Sequence, residues 1–150
     1  MVNSISNYGQ LIMLFQDGTT TRAAFEAGLA GTITNVGGII KMMTRLRLYT
    51  SASVFTKTEA GQTVVEASGG GYAAKTISSA NWTVSVASGN TQVVLADQVW
   101  TAAGGSIANI AGAYATDTDA NVIAWWERTT PITLNDMDSI TADDLTIRPT

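Results

Sequence analysis

Residues 80–87, Ala80-Asn81-Trp82-Thr83-Val84-Ser85-Val86-Ala87, set Trp82, Val84 and Val86 on one face of an extended chain and Asn81, Thr83 and Ser85 on the other. Strict alternation with β-branched and aromatic residues on the apolar side reads as a half-buried strand. It ends at Ser88-Gly89-Asn90, a stretch that supplies positive φ at little steric cost. Working outward, the same grammar repeats every ten residues or so. Upstream, strands are expected over 44–50, 62–67 and 72–78, broken at Glu59-Ala60-Gly61 and Ser68-Gly69-Gly70-Gly71. In the first of these, Leu46 and Leu48 face one way and Arg45, Arg47 and Tyr49 the other. Downstream they are expected over 91–96, 98–101, 106–116, 121–127, 131–134 and 139–147. Many short strands with turn signals between them, and no βαβ alternation or internal repeat, predict a mainly β chain. The specific expectation is an antiparallel β-sandwich, jelly-roll-like, over 44–150, with Leu46, Leu48, Val64, Trp82, Val84, Val86, Val93, Leu95, Ile107, Tyr114, Ile123 and Leu145 in its core.

Residues 1–43 do not share that pattern. Leu11-Ile12-Met13-Leu14-Phe15 is apolar without alternation. Residues 20–28 read as a short helix with threonine caps, a Phe25/Leu29 pair at i,i+4 and a glycine near its end. Residues 31–38 are a Thr/Asn/Gly linker leading into Ile39-Ile40-Lys41-Met42-Met43. The expectation is an N-terminal arm or short helix that packs on a neighbouring subunit, since apolar segments left in water are a liability.

Composition narrows the function. The 150 residues contain no cysteine and no histidine, which removes thiol nucleophiles, Ser-His-Asp triads and His or Cys zinc sites. Charged residues are 13% against an ordinary 25% or so, while the apolar share is an unremarkable 45%. The surface is therefore unusually neutral, which suits a subunit held in an assembly better than a free monomer. Eight Lys and Arg with a net charge of −4 are too few to grip a phosphate backbone, so nucleic acid is not an expected partner. The start lacks a basic n-region, and residues 11–15 are too short for a membrane span, so no membrane is expected either.

Several constellations invite a chemical reading. Asp117-Thr118-Asp119-Ala120-Asn121 has the spacing that opens a calcium loop, but Val122 stands where glycine is needed and Arg128 where the bidentate glutamate belongs. A hairpin turn explains the same residues. Asp136, Asp138, Asp143 and Asp144 could supply the paired carboxylates of a hydrolase, or simply flank turns. Trp82, Trp100, Trp125 and Trp126, with Tyr8, Tyr49, Tyr72 and Tyr114, are candidates for a sugar-stacking platform or for the core. Trp125 and Trp126 are adjacent and must point to opposite faces. Arg45 and Arg47 share a face and could take a partner carboxylate, or pair within the chain to Glu59 or Glu66. No catalytic residue, metal ligand or cofactor site is assigned on these grounds. The candidate interface residues are Leu11, Met13, Phe15, Phe25, Met42, Met43, Arg45, Arg47 and Trp125.

Leu46-Arg47-Leu48-Tyr49-Thr50, Gly69-Gly70-Gly71-Tyr72-Ala73-Ala74-Lys75-Thr76, Trp82, and the pair Gly112-Ala113-Tyr114-Ala115-Thr116-Asp117 and Ile123-Ala124-Trp125-Trp126-Glu127 follow one another in an order with a counterpart elsewhere. Over about residues 44–147 the chain resembles small β-sandwich virion proteins of tailed bacteriophages. The resemblance implies a non-enzymatic capsid cement or decoration protein, a homotrimer bound to the major capsid protein in a virion assembled in the host cytoplasm. The alternative it leaves is a tail, baseplate or fibre component with a carbohydrate-binding β-sandwich.

Overall fold

The structure, a computed structural model, describes residues 43–56, 62–87 and 90–147. Among them there is no α-helix, only a 3-10 turn at Ser79–Asn81, and the strands pair antiparallel throughout. The chain is mainly β, as its alternation requires. The arm, the short helix and Leu11, Met13, Phe15, Phe25 and Met42 lie outside the described residues.

The chain divides into two compact units. One takes in the described residues 44–56, 62–76 and 97–142. Its main sheet has the order β2-β1-β6-β7, built from β1 (Arg45–Thr50), β2 (Lys75–Thr76), β6 (Ile107–Thr116) and β7 (Val122–Leu134). A second pairing joins β5 (Gln98–Thr101) to β8 (Ser139–Ala142). Leu46, Leu48, Trp100, Ile107, Ile110, Leu134 and Ile140 are buried here. The other unit includes the described residues 77–87, 90–96 and 143–147, with β3 (Trp82–Ala87), β4 (Asn90–Leu95) and β9 (Thr146–Ile147) in the order β3-β4-β9. Ile77, Trp82, Val93, Leu95 and Leu145 are buried in it.

Five expected strands take different forms. Residues 121–127 and 131–134 are one strand, because Gly112 pairs with Glu127 while Ile110 pairs with Ile132, leaving residues 128–131 opposite Ala111 alone. That wide bulge, with Pro131 in it, is what the polar break at Arg128-Thr129-Thr130 encodes. Residues 139–147 separate into β8 and β9, parted at Asp144, whose φ of 51° takes the chain out of extended geometry. Residues 72–78 shrink to β2, since the positive φ of Gly69, Gly70 and Gly71 carries the chain away from the sheet just before Tyr72. Residues 62–67 make only single bridges, Val54 to Thr63 and Tyr49 to Glu66.

Burial follows the expected core at Leu46, Leu48, Trp82, Val93, Leu95, Ile107, Tyr114 and Leu145. Val64 and Ile123 are only half-buried, the first in the singly bridged segment and the second beside the hairpin turn. The side chains of Val84 and Val86 lie outside what the structure describes. Tyr49, on the face opposite Leu46 and Leu48, is 4% exposed. The reason is that Phe55 packs over this second face of the β1-β6-β7 sheet.

Candidate functional site

The covered face begins with β1. Arg47 pairs across to Tyr114 on β6, which pairs to Trp125 on β7, so the three side chains stand in one row. Tyr49 stands one pair further along, opposite Gly112. A Cβ on Gly112 would sit 2.1 Å from the Trp126 carbonyl oxygen and 2.6 Å from the Tyr49 hydroxyl, so only glycine admits the ring. Its hydroxyl donates to the Trp126 carbonyl at 3.3 Å. Covering a glycine with a cross-strand aromatic restores the contact that the missing side chain withholds.

Phe55 closes over this row. Its ring is stacked on Trp125 at 5.2 Å and 10°, meets Tyr49 edge-on at 4.7 Å, and lies 6.0 Å from Tyr114. Trp125 is therefore half-buried under its own chain rather than displayed. Trp126 points to the opposite face, as adjacency on a strand demands.

Beside the aromatic row lies a polar chain of contacts. Arg47 Nη1 donates to Glu66 Oε2 at 2.7 Å, and the Tyr72 hydroxyl donates to Glu66 Oε1 at 2.9 Å. The Leu48 backbone N–H donates in turn to the Tyr72 hydroxyl at 2.9 Å. Along this edge of β1, Thr50 N–H donates to the Val65 carbonyl and Ala67 N–H to the Leu48 carbonyl, while β2 takes Arg45 and Leu46. Tyr72 thus stands in for a ladder partner where the neighbouring strand is interrupted. The charges of Glu66 and Arg47 also act on the Tyr114 hydroxyl, in opposite directions. Burial pushes the Tyr114 and Tyr49 hydroxyls up to about 12, and it moves Tyr72 the same way. For Arg47 burial pulls downward, but the hydrogen bond and charge of Glu66 outweigh it and the net shift is upward.

A concavity of about 370 Å³ is lined by Gln62, Val64 and Glu66, by Ala120, Asn121 and Val122, and by Tyr114. Ala120 and Asn121 belong to the β6-β7 turn. Asp117 Oδ1 accepts from the backbone N–H groups of Asp119 at 2.9 Å and Asn121 at 2.8 Å, and Oδ2 accepts from Asn121 Nδ2 at 2.9 Å. The Asn121 side chain, then the turn's amides, hold the Asp117 carboxyl below its ordinary range. Both carboxylate oxygens of Asp117 thus serve the hairpin turn.

The remaining candidates are scattered. Arg45 is exposed and donates to Thr76 Oγ1 on β2. Met43, expected at an interface, is fully buried within the single chain. Asp136 accepts from Gly104 N–H at 2.8 Å and Asp138 from Asn135 N–H at 2.9 Å, so each fixes a turn. Asp143 and Asp144 are exposed. Trp82 and Trp100 are buried, and the Trp100 indole donates to the Ala73 carbonyl at 2.9 Å. Among the described residues no three acidic side chains gather in one place, and no helix is long and apolar enough to cross a membrane.

Phe55 and the linking role of Tyr72 escape sequence reasoning. Phe55 sits outside every alternating run, and nothing local marks Tyr72 as a backbone partner. Glu66 was legible as one of two possible mates for Arg47.

No family model, no curated protein and no solved structure matches the chain.

Proposed function

We propose that the protein is a structural subunit of a tailed-phage virion, a capsid cement or decoration protein built as an antiparallel β-sandwich that binds as a homotrimer between major capsid subunits. The observation that carries this reading is the treatment of polar groups. In a chain with 13% charged residues, Arg47 and Glu66 pair with each other, and Asp117, Asp136 and Asp138 tie down turns. These side chains support the scaffold, which fits a subunit that works by association. The sequence resemblance over residues 44–147 points the same way.

The test is composition of particles. Gradient-purified virions of a phage carrying this gene should yield its peptides by mass spectrometry, and particles from a gene deletion should assemble but rupture at a lower temperature. Virions without the peptides, with a deletion of no effect on particle stability, would overturn the proposal.

A further inference from the structure

The concavity beside Tyr114 has a lining that selects by chemistry, and we propose that it binds one neutral sugar unit. Its volume, about 370 Å³, falls in the range of small-molecule sites, roughly 300–1,000 Å³. Among the described residues Glu66 is the one charged group lining it, and the Arg47 guanidinium cancels that charge from behind at 2.7 Å. A lining neutral overall, with its cation already engaged, gives a phosphate or carboxylate ligand nothing to pair with. A purely apolar ligand would strand the polar groups of Gln62, Glu66 and Asn121 away from water. What fits is an uncharged molecule rich in hydroxyls with a few C–H faces for Val64, Val122 and Ala120.

The polar groups are also fixed in advance. A carboxylate has about four lone-pair sites, so Glu66 keeps capacity to accept from a ligand hydroxyl beyond Arg47 and Tyr72. Asn121 donates its Nδ2 to Asp117, which orients the carboxamide oxygen. Preorganised partners of this kind lower the ordering cost of binding. This site stands independently of the virion reading: either can fail alone.

The experiment is a titration of the 15N-labelled full chain, by amide NMR, with neutral hexoses and N-acetylhexosamines up to tens of millimolar, with the free sugars and sugar-terminated oligosaccharides as separate arms. Glucose 6-phosphate is the charged control. Saturable shifts confined to residues 62–66 and 114–122 are expected for a neutral sugar, in one arm or both. Weaker response to the phosphate is also expected. Gln62→Ala should weaken binding about three- to tenfold, the loss of one ligand hydrogen bond. Val64→Trp, which fills the space while leaving every polar group in place, should abolish it. No saturable shift with any neutral sugar, equal response to the phosphate, or binding unchanged in both variants would overturn the proposal.

Discussion

At the residue scale two backbone positions carry opposite expectations. Gly112 lies flat under Tyr49, and a methyl group there meets backbone on one side and the phenol on the other. Gly112→Ala should destabilise by about 1–3 kcal/mol or more, read from the denaturant midpoint, because neither neighbour is the free end of a flexible chain. Met137 is the reverse case. Its φ is 73°, its side chain is 78% exposed, and its N–H is satisfied by the Ala102 carbonyl. Left-handed geometry costs a side-chain residue about 1–2 kcal/mol, and glycine's extra freedom in the unfolded chain costs about 0.5–1. Met137→Gly should therefore raise stability by about 0.5–1 kcal/mol, and a lowered midpoint would show that the exposed methionine makes contacts of its own.

At the element scale the strands of the alternating runs were legible and their interruptions were not. Period two placed Leu46 and Leu48 correctly on one face, because alternation is a property of the strand alone. It set Tyr49 on the other face with Arg45 and Arg47 but did not reveal a layer over that face, because that layer depends on Phe55, and the Arg47–Glu66 pair beside it closes across 19 residues of chain. The site was legible only as pieces: Arg47 with Glu66, and the Asp117 turn. Their meeting around Tyr114 is a consequence of β1-β6-β7 register, which no local pattern states.

The same register predicts an alkaline weakness. Tyr49 and Tyr114 have folded values raised to about 12 from an ordinary 10.0, and Tyr72 is raised too, so the folded state keeps protons that the unfolded chain releases. Their contribution is complete below pH 10 and is lost as pH rises toward 12, so stability should fall across that window. Tyr72→Phe removes one of these groups and leaves the Leu48 N–H without its acceptor. It should cost about 1–3 kcal/mol at neutral pH and make the alkaline decline shallower. Chemical denaturation at several pH values checks both, and an unchanged alkaline slope would show that Tyr72 does not contribute to it.

At the scale of the whole molecule the account turns on association. The proposal that this chain is part of an assembly rests on its low charge and on the apolar runs in its N-terminal sequence. The candidate interface residues Leu11, Phe15 and Phe25 belong to that apolar sequence, and Arg45 and Val65 are exposed in the described unit. The most direct measurement is the mass of the full chain in solution by light scattering behind size-exclusion chromatography, over a range of concentrations. The account predicts a species of three times 15.7 kDa that persists on dilution. A monodisperse 15.7 kDa species at every concentration would contradict it.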